Sequence, residues 1–427
     1  MMKILISAVG TTDPITKNHD GALLHLSRIY RPDRVVLIYC EEMLVKKDRI
    51  QAALQSIDGY NPEILIDPTI LKNDEVYVFD KMYAEITQII ERYLSDEDEL
   101  ILNLSSATPQ IISAMFAVNR INNYNIRAVQ VATPEKSANR PFNPAAELPI
   151  EELIDGNKDN QEDFENRSLE DQSEKFNQSL VKRYLRQLIK HYDYAAALAI
   201  LQEKNNKILS KSQRAKACNI LNNVTDVFEK QAILQDLARE GDRQEAVKAL
   251  NYYLMIDILN RRGQIADVLI KAKSLVEYIL EEKIQSEHPG LIVRKENLPK
   301  LNLSHPDADA IIDYLEHEMK KERGSESKER VYNKTSTLNL LSFSNILEFY
   351  QAEESLLESI KLVKSFNGER NRLAHGLAEI DKKAISSKRL RALLGTLKDV
   401  LQSNYDIREE RFSYYDVKNE ELLELLK

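Results

Sequence analysis

ELILNLSSATPQIISAMFAVN, residues 99–119, is the stretch that decides the fold. Glu99–Leu104 is almost wholly apolar and short, which suits a strand buried on both faces. Ser105-Ser106-Ala107-Thr108-Pro109 then breaks the run, and Gln110–Asn119 resumes at helical spacing with Pro109 near its first turn. A strand, a loop of small hydroxyl residues and a helix are one half of a βαβ unit. Working outward, the same alternation recurs. Lys3–Val9 (KILISAV) is a strand ending at Gly10-Thr11-Thr12-Asp13-Pro14, and Gly21–Tyr30 has helical spacing. Arg34–Tyr39 is a second strand, Leu44–Ile57 is helical, and Glu63–Ile66 is a third strand. Lys81–Leu94 places Ile86, Ile89, Ile90 and Tyr93 on one helical face, and Arg127–Ala132 is a fifth strand after the one at Glu99. Apolar strands separated by helices predict an α/β domain with a doubly wound, mostly parallel sheet.

Beyond about Asn177 the pattern becomes helical throughout. Leu180–Lys190, Tyr194–Leu201, Ala215–Leu237 and Glu245–Leu259 read as a bundle of short helices. Lys320–Asn333 is charged and loop-like. Ile346–Phe366 reads as one long amphipathic helix ended by Asn367-Gly368. Between the two patterns lies an acidic stretch, residues 147–176, with eleven acids against three bases. Its composition suits a linker or an irregular excursion. The expected order is therefore an α/β domain over 1–146, the acidic segment over 147–176, an all-α middle domain over 177–270 and a second all-α bundle over 271–427.

Composition narrows the function classes. The 427 residues are 43% hydrophobic and 30% charged, as in ordinary globular proteins. No apolar run approaches the ~18–20 residues of a membrane span, and the polar Thr11 and Asp13 arrive too early for a secretory signal core. Cys40 and Cys218 are the only cysteines, which excludes a disulfide framework and fits a reducing cytoplasm. The absence of CxxC argues against structural zinc. No GxGxxG or GxxxxGK[ST] occurs, so the usual dinucleotide and P-loop signals are missing. The net charge of −9 speaks against nucleic acid, but residues 361–391 alone hold nine Lys/Arg against three acids. A locally basic segment on a near-neutral body can bind phosphates.

Two constellations carry chemistry. In open α/β sheets, ligands sit beyond the carboxyl ends of the strands. There the first strand brings Gly10, Thr11 and Thr12, the fourth brings Ser105, Ser106, Thr108 and Gln110, and the fifth brings Thr133. Hydroxyls and helix-start amides suit phosphate or ribose oxygens, although single loops of this kind serve equally as helix caps. No carboxylate pair, cysteine nucleophile or metal cluster accompanies them, so a binding pocket is expected. The second constellation is Arg370-Asn371-x3-His375, in the basic window. Arg-x4-His also occurs at Arg186–His191, inside an amphipathic helix and without the asparagine. On a helix, Asn371 and His375 share a face while Arg370 and His375 stand about 140° apart. Two copies about a two-fold axis could bring both to one phosphate. His can move a proton near neutrality, Arg holds phosphate charge, and Asn can orient either. Those are the parts needed to cleave RNA through its own 2′-OH without a metal, although a histidine packed at a helix turn beside solvated arginines has the same local sequence.

Arg370-Asn371-x3-His375 resembles the motif of HEPN ribonucleases. AVGTTDP after the first strand and NLSSATPQ after the fourth resemble a CARF domain. Together, in this order, they resemble the stand-alone ribonucleases of type III-A CRISPR systems. The resemblance implies a homodimer that cuts single-stranded RNA at paired HEPN domains, with Arg370, Asn371 and His375 as catalytic residues and no cofactor or metal. It implies a cyclic oligoadenylate activator, six adenylates rather than four, in a pocket lined by Gly10, Thr11, Thr12, Ser105, Ser106, Thr108, Gln110 and Thr133. Some members also cleave that activator slowly, and Thr108 stands at the matching place. No membrane and no stable complex with the CRISPR effector are expected. A reading of another class is a ligand sensor whose helical domain only dimerises or binds RNA, but the intact Arg370/Asn371/His375 set favours the enzyme.

Overall fold

The computed structural model describes residues 2–95, 97–122, 124–134, 148–203, 208–323, 332–376, 379 and 385–427. Two units divide the chain, Met1–Asn177 and Gln178–Lys427.

The first unit runs β1 (Lys3–Ala8), a small hairpin of β2 (Ile15–Thr16) and β3 (His19–Asp20), α1 (Ala22–Tyr30), β4 (Arg34–Ile38), α2 (Lys47–Gln55), β5 (Glu63–Ile66), α3 (Phe79–Tyr93), β6 (Glu99–Asn103), α4 (Pro109–Ile121), β7 (Ile126–Val131), α5 (Ile150–Asp155) and β8 (Ser168–Glu170). The sheet order is β5-β4-β1-β6-β7-β8. Its first five strands are parallel and β8 is antiparallel to β7, which confirms the doubly wound, mostly parallel sheet. Leu5, Ile6, Val35, Val36, Ile101 and Leu102 are completely buried, as strands covered on both faces require. Chain order reverses between β1 and β6. That gap is the topological switch point, where such sheets bind ligands.

The acidic stretch departs from the linker expected of it. Although Glu147 lies outside the described residues, the remainder carries α5, a turn of 3₁₀ helix at Lys158–Asn160 and strand β8. Two of its carboxylates are paired within this unit. Asp159 lies 2.9 Å from both His19 Nδ1 and Arg167 Nη2, and Asp171 accepts from Arg120. Composition alone hides this, because partners from β3, α1 and α4 are distant in sequence.

The second unit continues α6 (Glu174–Lys190), α7 (Tyr194–Gln202), α8 (Lys211–Lys230), α9 (Gln244–Arg261), α10 (Ile265–Glu287), β9 (Ile292–Lys295), β10 (Leu298–Leu301), α11 (Ala308–Arg323), α12 (Leu340–Phe349), α13 (Glu354–Lys364), α14 (Asn367–Gly376), α15 (Ser387–Tyr405) and α16 (Tyr414–Leu425). One apolar core runs from Leu185 to Leu426. The boundary expected at 270 falls inside α10, whose Val268, Leu269, Ala272 and Leu275 are all buried in that core. The region is helical as expected, apart from the β9–β10 hairpin.

Candidate functional site

At the switch point, the chain leaves β1 at Gly10 and makes a tight turn. Asp13 Oδ2 accepts from the Gly10 N–H at 2.9 Å, and its Oδ1 accepts from the Leu23 N–H at 3.2 Å. Burial pushes the Asp13 carboxyl up, against those two N–H groups, the Ser106 hydroxyl and the Lys46 ammonium. Lys46, itself buried, donates to the carbonyls of Thr11 and Asp13 at 2.8 and 2.6 Å. Gly10 is needed for a close approach: a Cβ there would stand 2.8 Å from the Ala107 backbone nitrogen. The loops after β1 and β6 therefore touch backbone to backbone. Ala107 itself has φ of 108°, an unfavourable angle for any residue with a Cβ. Strain of this kind concentrates at ligand sites.

The expected pocket residues divide in two. Ser105 Oγ accepts from the Val131 N–H at 2.7 Å, Ser106 is buried with Asn103 donating to its hydroxyl at 3.2 Å, and Thr108 caps α4 by accepting from the Ile111 N–H. These three side chains shape the loop. Thr11, Thr12 and Gln110 are open to solvent to differing degrees, and their side-chain polar atoms make no hydrogen bond among the described residues. Thr133 is exposed on the segment that leaves β7. Asp13, Lys46 and Asn103 were not singled out from sequence; the Asp in GTTDP was a visible signal, while Lys46 was not.

The basic constellation lies on α14, which packs against α10. Asn367-Gly368 opens this helix and does not close the preceding one, and the long helix expected over 346–366 is two, α12 and α13, parted at Gln351 with φ of 56°. Arg370 is half-buried and donates from Nη1 to Asn371 Oδ1 at 2.9 Å, while its buried Nε has no partner. Arg372 is turned away onto Glu369 at 3.1 Å. Position 375 lies on the same helix, one turn beyond Asn371. The competing Arg186 is committed elsewhere, donating to the Leu426 carbonyl. In the first unit, Asp20, His25 and Asp159 bring potential metal-ligating atoms together. Arg28 and Arg167 already occupy that cluster, so its charge is balanced by guanidinium groups.

A doubly wound sheet with a strained, glycine-dependent switch point, followed by a helical bundle bearing Arg-Asn-x3-His on one helix, defines the class of CARF–HEPN proteins. Residues 63–168 match the family model described as the Cas_Csm6 CARF domain, and residues 234–423 match the Cas_Csm6 HEPN domain. The HEPN match thus begins within the region read as a separate middle domain. CRISPR system endoribonuclease Csm6 of Streptococcus thermophilus is 54% identical over 100% of both chains, and Csm6′ of the same organism is 36% identical over 99% of both. A solved structure of Enterococcus italicus Csm6, bound to cyclic hexa-2′-fluoro-hexa-dAMP, superposes with a TM-score of 0.70 at 24% identity over 100% of both chains. The chain belongs to the Csm6 family of CRISPR system endoribonucleases.

Proposed function

We propose that this protein is a type III-A CRISPR accessory endoribonuclease that cuts single-stranded RNA in a site shared by two HEPN domains of a homodimer. The RNA supplies its own nucleophile: the 2′-OH attacks the adjacent phosphorus, the bond to O5′ breaks, and the products carry a 2′,3′-cyclic phosphate and a 5′-OH. His375 moves the proton, Arg370 holds the developing phosphate charge, and Asn371 orients the Arg370 guanidinium through their hydrogen bond. This chemistry needs no metal. Activation comes from cyclic oligoadenylate bound by a pair of CARF domains, six adenylates rather than four, a reading supported by the six-membered ring on the Enterococcus italicus relative. Gly10, Thr11, Thr12, Ser105, Ser106, Thr108, Gln110 and Thr133 form that pocket, in which slow cleavage of the ring acts as a timer. No helix among the described residues is long and apolar enough to cross a membrane, and we place the protein in the cytoplasm, without a stable complex with the CRISPR effector.

The observation that carries this reading is α14, where Arg370 and Asn371 are joined one turn before position 375 within the HEPN match. The test is cleavage of a labelled single-stranded RNA in EDTA, with and without the six-adenylate ring. Ring-stimulated cleavage giving 2′,3′-cyclic phosphate ends is expected. Strict Mg²⁺ dependence or 5′-phosphate products would overturn the mechanism.

A further inference from the structure

Between β5 and α3, residues 67–78 cross the carboxyl end of the sheet in the first unit. They are tied first to the end of β4. The Leu71 N–H donates to the Tyr39 carbonyl at 2.9 Å, the Glu41 N–H donates to the Leu71 carbonyl at 3.0 Å, and the Asn73 N–H donates to Glu41 Oε2 at 3.0 Å. They are tied next to the loop after β6, where the Thr108 hydroxyl donates to the Val76 carbonyl at 3.4 Å. Because the sheet order is β5-β4-β1-β6, a segment bonded to both of those loops passes the carboxyl end of β1, the switch point itself. It is a wall of that site, fixed at both ends. The residue after Val76 is Tyr77, a large aromatic side chain that is 67% exposed. Exposed apolar groups are ordinary when they stand alone, but this edge carries others: Val45, on the turn after β4, is 62% exposed and Phe79, opening α3, is 42% exposed.

The chemistry of the pocket leaves a place for such a ring. Gly10, Thr11, Thr12, Thr108 and Gln110 offer backbone N–H, hydroxyl and amide groups, which suit phosphate and ribose oxygens. None of the pocket residues named so far presents an aromatic face. An oligoadenylate brings adenine bases as well as phosphates, and the flat apolar faces of a base stack on aromatic side chains. Tyr77 follows directly on the residue that the Thr108 hydroxyl bonds, and its exposure leaves its ring open to a ligand.

Resting on the activator reading above, we propose that Tyr77 is a specificity-determining residue of the activator site, stacking its ring on an adenine base of the cyclic oligoadenylate. The experiment is calorimetric titration of the full-length protein with the six-adenylate ring, in wild type and in Tyr77→Ala, Tyr77→Leu, Tyr77→Phe and Tyr77→Trp. Tyr77→Ala and Tyr77→Leu should weaken binding by roughly fivefold to 100-fold, the scale of one lost base–aromatic stack. Tyr77→Phe and Tyr77→Trp keep an aromatic face and should stay within about threefold of wild type. The chain contains no tryptophan, so Tyr77→Trp also installs a single indole whose fluorescence should be quenched as the ring saturates the site. Because the side chain is mostly exposed, all four variants should keep the wild-type melting temperature, and light scattering should give the wild-type molar mass. Tyr77→Ala binding within about twofold of wild type overturns the proposal. So does Tyr77→Leu binding as tightly as wild type, which would make the contact apolar cover rather than stacking. A drop in molar mass on Tyr77→Ala would overturn it too, by assigning the side chain to a contact between copies of the chain. Failure of the wild type to bind the ring sinks the activator reading and this proposal with it, whereas wild-type binding that persists in Tyr77→Ala removes Tyr77 alone.

Discussion

Arg186 and Arg370 have the same spacing to a histidine, and their surroundings separate them. Arg186 spends its guanidinium on the Leu426 carbonyl, and His191 is exposed just beyond the end of α6. Arg370 instead bonds Asn371 and retains a buried Nε without a partner. Arg370→Ala and His375→Ala should each lower ring-stimulated cleavage by ~10²–10⁴-fold, the usual scale for loss of a proton-transfer or charge-stabilising group, with circular dichroism unchanged. His191→Ala should stay within about twofold of wild type; a loss equal to that of His375→Ala would show that the wrong copy had been chosen. Gly10 makes a second residue-scale case. Since a Cβ would meet the Ala107 backbone at 2.8 Å, and backbone cannot swing aside as a side-chain tip can, Gly10→Ala must part the two loops. A loss of ~1–3 kcal/mol is expected by denaturant melting, together with weaker ring binding by calorimetry. Unaltered stability and affinity would mean that the close approach is not required.

Among the elements, α4 and β8 make contrasting cases. Thr108 caps α4 with its side-chain oxygen, so Thr108→Ala should cost ~1 kcal/mol of stability whatever its chemical role. Timer chemistry needs a further effect, prolonged RNA cleavage at limiting ring; equal decay in wild type and variant with the ring intact would remove the timer but not activation. The β8 segment should be acid-sensitive. Burial first, and the Arg167 cation second, lower the His25 pKa below its usual 6.5, and the ring accepts the Arg167 N–H at 3.0 Å. Stability from the neutral ring is complete above 6.5 and is lost as pH falls through the lower folded value. Burial raises the Asp159 carboxyl, but His19, the Asp20 N–H and Arg167 together hold it below its usual value, so its contribution persists above 3.8 and goes only in stronger acid. Protection factors of the Arg167 and Asp171 amides, which allow for the intrinsic slowing of exchange in acid, should therefore fall as pH drops below 6.5, before those of the β1 amides respond. Uniform loss across the sheet would refute a local latch. The parallel sheet was legible because doubly covered strands are written as apolar runs. The β9–β10 turn, with φ of 53° at Glu296 and 63° at Asn297, and the break at Gln351 were not, because left-handed residues without glycine leave little local trace. Thr11 and Ser105 were legible as a sheet-edge pair, but no local pattern tells an open threonine from a serine consumed by a neighbouring strand.

Across the whole molecule, the proposal requires that a ring bound at residues 10–12 and 105–110 govern chemistry at 370–375 in the other unit. Coupling between such sites is a free energy, typically ~1–3 kcal/mol, and a ligand supplies it only through different affinities for two arrangements. In the proposed homodimer a ring on the two-fold axis would meet both copies of the pocket at once, and would thereby favour one placement of the protomers and of the two Arg370/His375 sets. The test needs substitutions that weaken ring binding without damaging the sheet. Ser106 cannot serve, because it is buried beside Asp13 and Asn103, and a larger side chain would disrupt the core. Thr11 and Gln110 can serve, since Thr11 is exposed, Gln110 is half-buried in the first turn of α4, and neither side chain bonds the protein among the described residues. Thr11→Trp and Gln110→Ala should raise the ring concentration giving half-maximal cleavage by about tenfold, while basal cleavage and melting temperature stay at wild-type values. Saturating ring should then restore the full rate, because these changes alter affinity and not the coupling. A lowered rate at saturation would instead place Thr11 or Gln110 in the transmission of the signal. Unchanged half-saturation in both variants would remove the switch point from activator binding altogether.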